Sequence, residues 1–118
     1  MDLNAELSRL KQEPGFKDQV GMVLIHNGVV RGCSRDGSTR VDSLQVLPDQ
    51  NLIQNLRREY EARPGIFRIV VKAFQGTFEP GEDLLYIIVA GDIRENVQAV
   101  LSELLNRIKS EAVTKKES

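Results

Sequence analysis

Between residues 97 and 108, apolar side chains recur at the spacing of one face of an α-helix, following the i, i+3, i+4, i+7 rule without a break. A helix of this kind owes most of its stability to burial of its apolar stripe, so the fold must supply a partner surface. Asp92 is the predicted N-cap, and Glu95 three residues on would complete a capping box. The stripe comprises Val97, Val100, Leu101, Leu104, Leu105 and Ile108.

The rest of the sequence predicts four strands and two further helices. β-branched and apolar runs predict strands, and helical spacing between Pro-Gly pairs predicts helices. Asn27-Gly28 predicts a bulge or turn inside the first strand, and residues 76–83 are expected to join the last two strands as a hairpin. The strands are predicted over 19–32, 40–46, 66–74 and 84–90, and the helices over 3–11 and from about 48 to 63.

This order of elements, α-β-β-α-β-β-α, indicates an α+β fold with helices packed on one face of a mainly antiparallel sheet. The chain has 118 residues, a usual length for one domain with its own core, and we expect a single domain over 1–118.

Composition excludes several classes of function. The formal net charge is −1, so no overall positive field would attract nucleic acid or an anionic membrane. The longest apolar run, LLYIIVA, is too short to cross a bilayer, and the first ten residues lack the core of a signal peptide. With one cysteine, Cys33, an internal disulfide is excluded, and we expect a cytoplasmic address.

The usual catalytic constellations are mostly absent from the sequence. One histidine, His26, and one distant cysteine make neither a zinc site nor a nucleophile–base pair. His26 falls within an apolar strand, where the simplest interpretation is a satisfied or half-exposed histidine without a chemical role. No metal site is predicted.

Basic residues at the ends of elements are the remaining candidates. On a helical wheel, Lys109 lies at the edge of the apolar stripe, where its stem can rest on apolar surface and hold the amine at a pocket rim. A routine lysine at a helix C-terminus explains it equally well. If the fold brings Arg31 and Arg94 beside Lys109, the three would bind phosphate or carboxylate. These neighbouring cations would also lower the pKa of that lysine and make a neutral amine available.

The sequence resembles the large catalytic subunit family of molybdopterin synthase (MoaE) over roughly residues 19–117. Gly28, Val30 and Arg31 match the family's G-x-V-R step, and the residues from Gly76 to Glu82 resemble its G-x-L-x-x-G-E hairpin. The stretches that carry the resemblance are GMVLIHNGVVRG, FQGTFEPGEDLLYIIVAG, DIRENVQAVLSELLNRIK and TKKE.

The resemblance implies an α/β-hammerhead-like fold, a homodimer and, with a small subunit, a heterotetramer. The small subunit is ubiquitin-like and carries a thiocarboxylate on its C-terminal Gly-Gly. The implied reaction is a sulfur transfer from that tail to cyclic pyranopterin monophosphate, which forms molybdopterin and requires no cofactor or metal for the sulfur step. The enzyme class implied is a sulfurtransferase.

By position, Lys109 matches the family's catalytic lysine. Lys116 matches the second active-site lysine without a gap, and Lys115 matches it if one residue is deleted. Arg31 and Arg94 match arginines that line the substrate and tail pocket.

The chain also departs from the family pattern around these basic residues. His26 stands where the family has phenylalanine, Ala73-Phe74 replaces a His-Arg pair, and Val113-Thr114 replaces a Pro-aromatic-Trp stretch. The histidine before the helix arginine is Ile93, and the aspartate of D-x-L-K is Asn106. Two alternatives to an enzyme therefore stay open: a non-catalytic homodimeric relative that binds a ubiquitin-like tail or an anionic ligand, and an unrelated α+β regulatory module.

Overall fold

The computed structural model describes residues 2–118 of the chain. Its helices are α1 (Leu3–Lys11), α2 (Phe16–Gln19), α3 (Gln50–Glu61) and α4 (Arg94–Arg107), and a π-helical turn, Ile108–Ala112, continues α4. Its strands are β1 (Met22–Val29), β2 (Leu44–Pro48), β3 (Ile66–Ala73), β4 (Gly76–Phe78), β5 (Asp83–Gly91) and β6 (Val113–Glu117). In this range, no helix is long and apolar enough to cross a membrane.

Two antiparallel three-stranded sheets form the framework. The first has the order β1-β5-β3, and the second has the order β4-β2-β6. β5 is the central strand of the first sheet and pairs on both sides. Its Ile88 lies opposite Ile25 of β1, and its Ile87 lies opposite Val71 of β3. The register shifts between Gly28 and Val29, and the residue left without a partner is Leu84 of β5. Asn27 and Gly28 are both paired, so the bulge expected at Asn27-Gly28 lies on the partner strand instead.

The central strand β5 is buried on both faces, and its side chains alternate between two apolar clusters. Leu85, Ile87 and Val89 pack in the main core with residues of α3 and α4. Tyr86, Ile88 and Ala90 pack on the opposite face with Leu10 of α1 and with residues of α2. The α+β class and the antiparallel pairing are thus confirmed. The long helices α3 and α4 share one face, as expected, but α1 and α2 pack on the other, so the helices do not all lie on one face.

The start of α4 differs from the prediction. Asp92 does not cap the helix: the N-cap is Ile93, which makes no side-chain cap bond. The Asp92 carboxylate instead accepts hydrogen bonds from the Ile93 backbone N–H at 2.6 Å and from the Asn96 side-chain amide at 2.8 Å. The capping prediction was therefore wrong, because the helix starts one residue later than a cap at Asp92 requires.

Three segments form pairings that local patterns did not predict. The second strand begins at Leu44 rather than at residue 40, because Arg40 forms an isolated bridge with Cys33 and the Val41 N–H donates to the Gly32 carbonyl. The expected hairpin connection contains β4, which pairs with β2. The C-terminal segment forms β6 on the other edge of β2, and Ser118 exchanges backbone hydrogen bonds with Ser43.

Candidate functional site

The end of α4 is fixed by its π-helical turn. Ile108 and Ala112 are buried, whereas Lys109 between them is exposed. Arg107 ties the turn to α3 through ion pairs with Glu59 at 2.6 Å and with Glu111 at 2.9 Å. Lys109 therefore extends from a segment that the core anchors on both sides.

The register of β6 distinguishes the two lysines that follow. Lys115 pairs with Val46 of β2, which is buried, whereas Lys116 pairs with the exposed Gln45. Because successive side chains of a strand point to opposite faces, Lys115 lies on the core side of the second sheet and Lys116 on the outer side. The structure thus brings Lys115, rather than Lys116, towards Lys109.

A cavity of about 300 Å³ lies between the two sheets, and we call it the lysine pocket. Lys109 and Lys115 line it together with His26 of β1 and Ala73 of β3. Its remaining lining residues are uncharged: Asn27, Gly28, Val29, Val46, Leu84, Leu85 and Val113. The pocket is therefore a mostly apolar space with two cations.

A second cavity of about 710 Å³, the basic groove, adjoins the lysine pocket. Lys109 and Lys115 line both cavities, as do Val29 and Leu84. Arg31 and Arg35 add positive charge to the groove, and Glu117 is its one acidic lining residue in the described chain. The Arg31 guanidinium donates a hydrogen bond to the Cys33 carbonyl at 3.3 Å. The two lysines thus stand where an apolar pocket meets an anion-attracting groove.

Arg94 does not join this cluster within the chain. It is exposed in the first turn of α4, whereas Lys109 lies just beyond the last turn. A helix of 14 residues is about 20 Å long at 1.5 Å per residue. Of the two predicted arginines, Arg31 thus comes near Lys109, and Arg94 does not line either cavity.

The lysine pocket perturbs two titratable groups. The pKa of the Lys115 amine is lowered, first by desolvation and then by the positive charge of Lys109. The pKa of His26 is lowered from 6.5 by burial and, to a smaller extent, by the charges of Lys109 and Lys115. The sequence had pointed to Lys109 and to clustered charge, whereas the lysine whose pKa is lowered is Lys115 and the larger cause is burial.

His26 is a member of the pocket that the sequence interpretation set aside. The residue is half-exposed, as one of the two interpretations had it, but its Nε2 is buried and finds no hydrogen-bond partner in the described residues, so the other interpretation, a satisfied histidine, is wrong. Two signals pointed to the pocket. His26 lies two residues after Leu24 and so shares the face of β1 that packs on the main core. It also stands where the family that the sequence resembles has a phenylalanine.

Residues 2–118 contain no group of three or more His, Cys, Asp or Glu side chains placed to hold a metal ion. The ionisable groups that line the two cavities are two amines, two guanidinium groups, one imidazole, the Cys33 thiol and the Glu117 carboxylate. The cations among them bind anions, and the amines and the imidazole exchange protons.

Comparisons with known proteins identify relatives with this fold. A molybdopterin synthase from Staphylococcus aureus superposes with a TM-score of 0.81 at 17% identity, covering 100% of this chain and 85% of that one. A molybdopterin biosynthesis MoaE protein from Burkholderia ambifaria MC40-6 gives a TM-score of 0.79 at 21% identity, covering 99% and 76%. A complex of subunits 1 and 2 of molybdopterin-converting factor from Helicobacter pylori 26695 gives 0.73 at 16%, covering 98% and 78%.

At these identities the structural matches show a shared fold. A search of the curated proteins finds no match to the sequence. The family model described as MoaE protein matches residues 1–111, a range that includes Lys109 and ends before Lys115. The chain therefore belongs to the MoaE protein family.

Proposed function

We propose that the chain acts in molybdenum cofactor biosynthesis as the large subunit of a molybdopterin synthase, a sulfurtransferase that forms molybdopterin from cyclic pyranopterin monophosphate. Family membership supports the role, and the observation that carries the chemistry is the meeting of Lys109 and Lys115 between an apolar pocket and a basic groove. Both reactants of this reaction are anionic, one a thiocarboxylate and the other a phosphate ester, and converging cations would bind and orient them.

The partner in this proposal is a ubiquitin-like small subunit whose C-terminal Gly-Gly ends in a thiocarboxylate. The Helicobacter pylori structure is a complex of subunits 1 and 2 of molybdopterin-converting factor, which supports a partner subunit for this chain. The tail's terminal group would lie between Lys109 and Lys115, because these two lysines line both cavities. Arg31 would bind the phosphate from the groove side.

The two lysines would have different tasks. Lys109 supplies positive charge at the acyl group of the tail, where the C–S bond breaks as sulfur passes to the pterin and water supplies the oxygen of the carboxylate that is formed. Lys115, whose pKa is lowered, would exchange protons with the reacting groups, since a group with a pKa closer to neutrality is the better general acid and base. Lys116 faces away from the pocket, so Lys115 takes the role of the second lysine.

The proposed assembly is a homodimer of this chain, which forms a heterotetramer with two small subunits.

Arg94 lies about one helix length from Lys109, so within one protomer it cannot share an anion with that lysine. Its role in binding substrate stays a prediction from the family resemblance.

Reconstitution tests this function. The purified chain is mixed with a thiocarboxylated small subunit and cyclic pyranopterin monophosphate, and molybdopterin is measured by its dithiolene. We expect molybdopterin to form only when all three are present. A tight complex with the small subunit that never yields molybdopterin would contradict the enzymatic proposal.

That negative outcome would favour the second candidate, a non-catalytic module that binds the tail. One observation supports it: Ala73, which stands in place of a family histidine, lines the lysine pocket with a methyl group that cannot exchange protons. Binding without turnover would leave the cations in place and remove the reaction.

The strand register predicts unequal effects of the two neighbouring lysines. In the reconstitution assay, Lys115→Ala is expected to lower the rate of molybdopterin formation about 100-fold, because it removes a proton-exchanging group from the pocket. Lys116→Ala removes the same charge one residue on and is expected to lower the rate far less. The reverse order of effects would show that the β6 register does not set the lysine used in the reaction.

A further inference from the structure

The lysine pocket contains one group for which the proposed reaction gives no task, the imidazole of His26. The ring lines the cavity beside both lysines. Its Nε2 is buried, and no residue in the described part of the chain accepts or donates a hydrogen bond there. Buried polar atoms of native proteins nearly always have partners, so an unpaired nitrogen at a ligand-sized cavity calls for an occupant.

The charges around His26 come from two elements only. Lys109 of the π-helical turn and Lys115 of β6 are the charged lining residues of the pocket in residues 2–118. The residues that line it from β1, β2, β3 and β5 are uncharged. Two positive charges and partial burial both disfavour an imidazolium, which explains why the pKa of His26 is lowered. Without a bound anion, the ring is therefore neutral at neutral pH.

The surroundings of Nε2 also disfavour the charged ring. An imidazolium donates from both nitrogens, and no residue of the described chain offers Nε2 an acceptor. Nε2 lies close to Gly28: a Cβ atom on that residue would come within 3.5 Å of the nitrogen. Because residue 28 is glycine, it has no side chain that could occupy the space beside Nε2. An anionic oxygen in the pocket would reverse both effects, since it offsets the lysine charges and accepts a hydrogen bond.

We propose that His26 is a further ligand-binding group of this site: its imidazole takes up a proton from solvent when an anionic group binds between Lys109 and Lys115, and so adds a third positive charge and a hydrogen-bond donor. The ligand is a carboxylate or phosphate group. The proposal rests on the proposed function in naming these anions as the tail terminus and the substrate phosphate. The coupling of proton uptake to anion binding needs no sulfur transfer.

By linkage, the coupling is reciprocal. If binding of the anion raises the affinity of His26 for a proton, then a proton on His26 raises the affinity for the anion by the same factor. Anion binding should therefore tighten as the pH falls through the His26 pKa. Replacing His26 by phenylalanine keeps a planar ring and removes the titrating group.

His26 is the one histidine of the chain, so its imidazole signals in an NMR spectrum are unambiguous. A pH titration of the free protein is expected to give a His26 pKa below 6.5, and Lys109→Ala should raise it. Lys17→Ala removes an exposed lysine of α2, which packs on the opposite face of the sheet, and should leave it unchanged. Equal values in the three proteins would overturn the proposal.

Three probes then identify the anion. They are a short peptide ending in Gly-Gly with a free carboxylate, the same peptide as its C-terminal amide, and inorganic phosphate. A rise in the His26 pKa with the free peptide and not with the amide assigns the tail carboxylate, and a rise with phosphate assigns the phosphate group. No rise with either anion at saturating binding would refute the proposal.

The binding constant provides a second readout. His26→Phe is expected to weaken binding of the effective anion by roughly tenfold or more below the His26 pKa, and to remove the pH dependence of binding in that range. Binding that stays as tight and as pH-dependent in His26→Phe would overturn the proposal. These measurements use the protein without its small subunit. The His26 proposal can therefore hold even if reconstitution yields no molybdopterin, and it can be wrong even if molybdopterin forms.

Discussion

Lys109→Ala is expected to lower the rate of molybdopterin formation by about 100- to 1,000-fold, the cost of removing one preorganised charge or donor from a reacting acyl group. The variant loses the cation shared by the lysine pocket and the basic groove. Lys109 is exposed, and its side chain makes no hydrogen bond or ion pair within residues 2–118, so truncating that side chain should leave the free energy of unfolding nearly unchanged. The measurement is the reconstitution rate, with thermal unfolding measured alongside.

Two control variants give this prediction its meaning. Lys17→Ala removes a lysine of α2 on the far side of the sheet and should react at the wild-type rate. Lys109→Arg keeps a positive charge on a larger, planar head group and should restore binding of the tail more fully than the rate. If Lys109→Ala reacts as fast as the wild type, Lys109 is an ordinary helix-terminal lysine.

Ile108→Ala is expected to have the largest effect on stability among changes near the site. Ile108 is fully buried in the main core and begins the π-helical turn. Truncating a buried isoleucine costs about 2–5 kcal/mol of unfolding free energy, because it removes apolar contacts and leaves a cavity. For a domain of this size the melting temperature should fall by roughly 10 °C or more. Lys109 is the next residue in the chain, so its position depends on this anchor. The rate of molybdopterin formation should therefore fall even at temperatures where the variant is still folded.

Leu47→Ala is the matched control. Leu47 is a similar aliphatic side chain in β2, but it is 56% exposed, and its truncation should change stability by no more than about 0.5 kcal/mol. Comparing the two melting curves isolates the contribution of burial. A melting temperature for Ile108→Ala close to that of Leu47→Ala would mean that the core does not anchor the turn that holds Lys109.

Local patterns predicted the elements that bury their own apolar stripes. The periodicity of α4 and the apolar run of β5 identified the two segments at the centre of the main core, and the Pro-Gly pairs marked helix ends correctly. The second sheet was not predicted, because β4 and β6 are short and owe their strand structure to pairing with β2. Pairing between distant segments leaves little trace in either local sequence.

The same limit applied to the site. Lys109 stood out because its helix fixes its position relative to the apolar stripe. Helical spacing could not choose between Lys115 and Lys116, since that choice depends on the register of β6 against β2. The position of His26 on β1 indicated which face of the strand it occupies. Its proximity to Lys109 and Lys115 could not be predicted, because it depends on how β1 packs against the distant C-terminal segment. For Arg94 the sequence suggested a neighbour that the structure does not provide: Arg94 was expected beside Lys109, but the length of α4 separates the two residues.

The most direct test of the central claim is the mass of the small subunit's C-terminus before and after reaction. The thiocarboxylated partner is incubated with this chain, with and without cyclic pyranopterin monophosphate, and its mass is measured by mass spectrometry. We predict that the thiocarboxylate becomes a carboxylate, with sulfur replaced by oxygen, only when chain and pterin are both present and in step with molybdopterin formation. A partner that binds the chain in the presence of the pterin and keeps its thiocarboxylate would contradict the account.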